Sequence, residues 1–219
     1  MALKICSYVL STLHAVAAIF VWLEMTFVSC PLPGKTYFDS FTCLNYCSPG
    51  MQVGMLITLS YLISDMVLAK VAFGPGNTFN ETLFHHIIGL IGLVSALVIG
   101  RIVAVIAICL LIAEISTIFL NNRHILKELD LIEKHDKFHF WNGITLILSF
   151  FFIRVVFYGV FLGCYILPAF FNYPYNETAK EIGWFKVRWA QTLMILFIIL
   201  YLLNIYWFKK LVQGYLKYR

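Results

Sequence analysis

Six long apolar runs constrain this chain more than any other feature. They lie at roughly Ile5–Val28, Met51–Phe73, Phe84–Ile99, Ile102–Leu120, Gly143–Leu167 and Ala190–Phe208. A helix that crosses a bilayer needs about 20 mostly apolar residues. The third run is the shortest and needs its histidine end to reach that length. Apolar residues surround each run on all sides, so the runs are not amphipathic helices of a soluble core. The ten-residue alternation of a membrane barrel is also missing. Hydrophobic residues make up 61% of the chain and charged residues 12%, against about 25% charged in an ordinary soluble domain. One small globule cannot bury that surface, whereas lipid removes the need to. The expected fold is therefore all-α: a polytopic membrane bundle of six transmembrane helices. No linker and no repeat of 20–50 residues divides the sequence, so 1–219 reads as one domain. The first run is longer than a signal-peptide core of about 7–15 residues, and "FVSCPLPG" lacks a small-residue cleavage pattern. It reads as a retained helix.

Lysine and arginine in short loops set topology. With six spans, Lys4, Lys70, Arg123, Lys127, Lys134, Lys137, Lys209, Lys210, Lys217 and Arg219 share one side, which makes ten. Lys35, Arg101, Lys180, Lys186 and Arg188 share the other, which makes five. Both termini are thus expected to face the cytosol, or the matrix in a mitochondrial membrane. The basic residues form no aromatic-lined groove on a soluble fold, which argues against nucleic acid as a partner. Cys6, Cys109 and Cys164 lie in the runs as packing residues. Cys30, Cys43 and Cys47 lie in the first loop, where "CLNYC" could bridge to itself or to Cys30. Of the two "NET" sequons, only the one at Asn176 faces the glycosylating side on this topology.

Ionisable groups inside spans are costly and usually face the bundle interior. Asp65 in "YLISDMVLAK" and Glu114 in "LLIAEISTIFLNNR" lie about 12 and 9 Å from the cytosolic ends of their runs at 1.5 Å per residue. His85 and His86 open the third run at that same face. Arg154 in "FFFIRVVFYG" reaches about 17 Å in from the same side, and an ion pair with Asp65 or Glu114 is geometrically possible. Tyr61 and Tyr158 stand four residues from Asp65 and Arg154, on the same helical faces. Asn121 adds a polar group at the end of the fourth run. His135, Asp136 and His139 have metal-ligand spacing but read as a headgroup-facing cluster, and no metal is expected. The stretch "RHILKELDLIEKHDKFHFW" places Ile125, Leu129 and Ile132 on one face, as in a short helix lying among headgroups.

The ordered pieces "YLISDMVL", "FHHIIGLIG", "AEISTIFLNNR", "FFIRVVFYG" and "LNIYWFKKLVQG" make the chain resemble the TLC-domain family, which contains the ceramide synthases and a set of small multipass relatives. The third and fifth pieces point to the small relatives. The resemblance implies an acyl-chain or lipid pocket opening near the cytosolic face, with His85 and His86 similar to the paired histidines implicated in acyl transfer from acyl-CoA to a sphingoid amine. It implies Tyr61, Asp65, Glu114, Asn121, Arg154 and Tyr158 as substrate-binding residues. No cofactor is implied beyond acyl-CoA or lipid as substrate. The synthase pattern of a histidine followed by paired aspartates is replaced by Ala113-Glu114-Ile115-Ser116-Thr117. Membrane lipids are the implied partners and the endoplasmic reticulum the implied location, in lipid metabolism or homeostasis. The alternative is a non-catalytic lipid-binding scaffold or accessory subunit of a larger membrane assembly, with the mitochondrial inner membrane as its setting.

Overall fold

A computed structural model describes residues 1–28, 30–37, 40–74, 76–172 and 174–217; Arg219, one of the ten basic residues counted above, lies outside them. Six helices are long and apolar enough to cross a membrane, and no strand occurs among the described residues. They are Ala2–Phe27, Pro49–Phe73, Asn77–Ile99, Arg101–Glu128, Asp136–Asn172 and Trp184–Lys217, called here the first to sixth helices. Two short helices, Phe41–Leu44 and Tyr175–Ile182, lie in loops.

Local chemistry marks the ends. The Ser48 hydroxyl accepts the Met51 N–H at 3.1 Å, and Pro49 occupies the first turn, so the second helix starts on a side-chain cap with its missing N–H at no cost. It stops at Gly74, and the third helix stops at Gly100. Both have φ in the left-handed region, +69° and +64°, which glycine alone enters freely.

The helices overrun the apolar runs. The third begins at Asn77 rather than Phe84, and the fifth at Asp136 rather than Gly143. Backbone hydrogen bonds inside a helix are satisfied whether the side chains sit in hydrocarbon or among headgroups, so polar flanks wind on. The separate headgroup helix expected over 123–141 is absent for the same reason. The fourth helix runs to Glu128, a turn with Asp130 at φ +52° follows, and the fifth helix begins.

The chain forms two compact units, Met1–Leu146 and Ile147–Arg219. In the first, the first helix packs on the second and fourth, and the second and third form a hairpin. The first helix buries Ser7, Ser11, His14, Ala15, Ala18 and Met25, a stripe at helical spacing whose first half is polar. Gly54 lets the second helix come against Val21; a Cβ there would run into that side chain. Small residues at the contact are how membrane helices approach closely without a hydrophobic drive between them. At one end, Lys4 pairs with Glu128 at 3.2 Å and lies 5.8 Å over the Phe73 ring. At the other end a Cys30–Cys43 disulfide, one of the three pairings left open by sequence, closes the first loop, in which Tyr37 is fully buried. Burial pushes the Tyr37 hydroxyl above the usual phenol range.

In the second unit the fifth helix widens into π-helical turns over Phe150–Phe157 and Leu162–Ile166. The sixth helix packs on the first of these. Tyr201 donates its hydroxyl to the Val155 carbonyl at 3.3 Å, and Gly159 leaves room for that phenol.

Candidate functional site

The second and third helices are antiparallel neighbours with three residues between them in the chain. Asp65 stands eight residues before the end of the second at Phe73, and His86 nine residues after the start of the third at Asn77. At 1.5 Å per residue they lie about 12 and 13.5 Å from those helix ends. Nearly equal distances along two arms of a hairpin bring them side by side. The early start of the third helix thus corrects the expected place of the histidine pair. His85 and His86 are in its third turn, not at its mouth, and His86 is buried.

His86 Nε2 approaches Asp65 Oδ2 at 3.1 Å, as an ion-pair contact rather than a well-aligned hydrogen bond. Its Nδ1 lies 2.8 Å from the Thr82 carbonyl oxygen. A carbonyl only accepts, so Nδ1 carries a hydrogen and donates it. Nε2 then faces a carboxylate. Two bare acceptors at that distance repel, so one proton lies between them, whether the pair is imidazolium and carboxylate or imidazole and carboxylic acid. Ser7 Oγ donates to the other oxygen, Asp65 Oδ1, at 3.2 Å. The His85 ring meets His86 edge-on, with centroids 5.7 Å apart.

Tyr61, one turn before Asp65, lies 6.4 Å from the His86 ring and stacks face to face on His14 at 3.9 Å. Its hydroxyl lies against Ser11. His14 Nε2 is 3.2 Å from Thr58 Oγ1, and Thr58 spends its single hydroxyl proton on the Gly54 carbonyl at 3.0 Å. His14 Nε2 must therefore be the donor, which leaves His14 Nδ1 a bare acceptor, buried and without a hydrogen-bond partner among the described residues. Glu114 starts a new turn of the fourth helix after a tight 3₁₀ segment, Leu111–Ala113, that packs on the first helix. It lies within electrostatic range of His14, Tyr61 and His86.

The structure thus brings Tyr61, Asp65, His85 and His86 together and sets Glu114 beside them. Asn121 lies seven residues beyond Glu114 and donates to Thr12 Oγ1 at 3.1 Å, clamping the fourth helix to the first. Arg154 and Tyr158 belong to the second unit. There Arg154 is buried, donates to Asn204 Oδ1 at 3.3 Å and lies 5.1 Å over the Phe150 ring. Tyr158 is buried against Phe157 and Phe197. Sequence reasoning missed His14, Ser7, Thr58 and Asn204. His14 met the criterion that selected Asp65 and Glu114, an ionisable group inside an apolar run; Ser7, Thr58 and Asn204 are uncharged and gave no such signal.

Chemically the cluster gathers an imidazole–carboxylate pair, a bare imidazole nitrogen, a phenol and a second carboxylate within apolar helices, residue types able to carry proton transfer. A family model, that of the TLC domain, matches residues 4–213. The chain belongs to the TLC-domain family. No curated protein and no solved structure matches it. Every residue of the cluster falls inside the TLC domain, and the six apolar helices fit a multipass membrane protein with a lipid-related role.

Proposed function

We propose that this TLC-domain protein takes a lipid acyl chain between its first four helices and acts on the lipid's polar end with the Asp65–His86 pair. The observation that carries the reading is the 3.1 Å Asp65–His86 contact with the opposite imidazole nitrogen committed to Thr82. With the shared proton on His86 Nε2, the Asp65 carboxylate is the basic site that takes a proton from an attacking hydroxyl or amine, and the Nε2–H gives one to the leaving group, the tasks of a general base and acid in acyl transfer, so the pair ends with one proton as it began. Acyl-CoA is the acyl donor that the family resemblance supplies. His85 braces the His86 ring, and Tyr61 and Glu114 tune the charge around it. Glu114 in place of the synthase aspartates favours a lipid conversion or lipid homeostasis role other than ceramide synthesis.

Topology follows from the same frame. Lys4, Phe73 and Glu128 share one end of the first unit, the end with the richer basic loops. We place that end, and both chain termini, in the cytosol of a cell with the protein in the endoplasmic reticulum. The deciding experiment expresses His86→Ala and His85→Ala in membranes and measures acyl transfer and lipid composition. His86→Ala is expected to abolish a change that the wild-type chain produces, and His85→Ala to weaken it. Unchanged lipids with normal levels of both variants would leave the non-catalytic scaffold as the better account.

A further inference from the structure

The first and fourth helices run antiparallel, and three contacts tie them in register from the cytosolic end inward. Lys4 Nζ lies 3.2 Å from Glu128 Oε1. One turn in, the Tyr8 ring stacks on His124, with centroids 5.0 Å apart and planes 9° from parallel. A further turn in, Asn121 donates to Thr12 Oγ1 at 3.1 Å. Positions 4, 8 and 12 of one helix thus meet 128, 124 and 121 of the other, as rungs about 6 Å apart along the first helix. The last residue of the second helix, Phe73, lies 5.8 Å from the Tyr8 ring and 5.8 Å below Lys4 Nζ. Burial changes across the rungs. Lys4, Tyr8, Phe73, His124 and Glu128 are half-buried or exposed, whereas Ser7, Ser11, Asp65 and Asn121 are buried. Asp65 is eight residues in from Phe73 and Thr12 eight in from Lys4, so the Asp65–His86 pair sits level with the innermost rung, behind the other two. The opposite end of the first helix is tied by the Cys30–Cys43 bond. A covalent bond does not part when side chains rotate; an ion pair and a ring stack do.

We propose that the Lys4–Glu128 pair and the Tyr8 ring between Phe73 and His124 form a gate, which shuts the Asp65–His86 pair off from cytosolic water and opens by side-chain rotation. The proposal deepens the reading above and rests on it, because it governs access to that same site. The charges of an imidazole–carboxylate pair act more strongly where water is excluded, yet protons and water-borne reactants have to reach it. A site that serves both needs is closed most of the time and opens briefly. The two outer rungs have the strength for this. An ion pair as exposed as Lys4–Glu128 shifts an equilibrium by no more than about fivefold. Each ring contact of Tyr8 shifts it by about two- to tenfold. The open form is then a minor state that the chain visits without unfolding. The innermost rung, Asn121 on Thr12, holds the two helices together while the outer rungs part. The first helix, which contributes none of the resemblance motifs, thereby becomes the element that controls entry.

The test uses the full chain in phospholipid nanodiscs. Cys6→Ser removes the exposed thiol nearby, and Ser11→Cys places a reporter three residues inside the ring stack. The probe is 2-(trimethylammonium)ethyl methanethiosulfonate, a permanently charged thiol reagent, and mass spectrometry reads the rate of its addition at position 11. Slow labelling is expected with the gate intact. Tyr8→Ala removes two ring contacts and is expected to speed labelling by about tenfold or more, while Tyr8→Phe keeps both and should label at the parent rate. Glu128→Gln is expected to speed labelling by up to about fivefold. Salt at about 1 M screens the ion pair, so it should act on the parent chain as Glu128→Gln does and leave that variant unchanged; this arm needs no gate variant to fold. Cys109, fully buried on the fourth helix, reports unfolding and should stay unlabelled throughout. A rate at position 11 that neither Tyr8→Ala, Glu128→Gln nor salt changes overturns the gate, and so does labelling of Cys109 in step with it. If the gate variants speed labelling while His86→Ala leaves membrane lipids unchanged, the gate stands and the acyl-transfer reading falls. If His86→Ala abolishes lipid turnover while labelling ignores the gate variants, the gate falls and that reading stands.

Discussion

Replacing Asp65 by asparagine separates the fold of this protein from its proton. The carboxylate makes two contacts, accepting from Ser7 at 3.2 Å on Oδ1 and facing His86 Nε2 at 3.1 Å with Oδ2. An asparagine in the same rotamer keeps its carbonyl oxygen toward Ser7 and turns its amide N–H toward His86. A neutral His86, protonated on Nδ1 and donating to Thr82, presents the lone pair that this N–H needs. Both contacts survive, and only the shared proton is gone. Asp65→Asn is therefore expected to cost less than about 1 kcal/mol, whereas Asp65→Ala strips both contacts and costs about 1–3 kcal/mol. For a chain of this length that is a drop in Tm of under about 4 °C for the amide and of about 2–12 °C for alanine. Turnover should fall by about 10²–10⁴ in both, the range of one lost acid–base group. The assay is paired: thermal unfolding in detergent, and lipid conversion in membranes. If Asp65→Asn unfolds as early as Asp65→Ala, the charge of the pair and not its proton holds these helices, and the tautomer argument is wrong.

Gly54→Leu drives a side chain into Val21 and is expected to cost about 1–3 kcal/mol, while Gly92→Ala, which meets open space, should unfold at the wild-type temperature. Thiol labelling of the denatured, unreduced chain should find Cys47 but not Cys30 or Cys43, and breaking that disulfide by Cys30→Ala should cost about 3 kcal/mol for a closed loop of this size. A glycan is expected on Asn176 and not on Asn80; mobility on gels with and without glycosidase reads this out, and a glycan at Asn80 alone would invert the orientation.

The six helices were legible because hydrocarbon thickness and apolar run length are one constraint written twice. Their ends were not. Asn77, Glu81 and Thr82 look like loop residues by type, yet the third helix runs through them and even uses the Thr82 backbone carbonyl to set the His86 tautomer. That misplaced start also put the histidine pair at the surface in the sequence reading, when the hairpin puts it level with Asp65. Asp65, Glu114 and His86 stood out as polar residues in apolar company. His14 stood out equally and was overlooked, because a lone neutral ring does not attract notice as a carboxylate does. Which nitrogen of that ring is bare depends on where Thr58 sends its one proton, and no run of letters encodes that.

The hairpin that aligns Asp65 with His86 has a consequence for how this protein enters the membrane at all. A helix with an aspartate near its middle is a poor substrate for insertion, by roughly 2.5–3.5 kcal/mol. Here the neutralising group arrives on the very next segment, twenty-one residues later in the chain. The second and third helices can therefore enter the bilayer as one unit with the proton already shared between them. Their partners in the first and fourth helices are then recruited onto an element that has met its electrostatic cost locally. A substitution at His86 would be felt first at synthesis, as a second helix reluctant to leave the translocation machinery, before any lipid is bound.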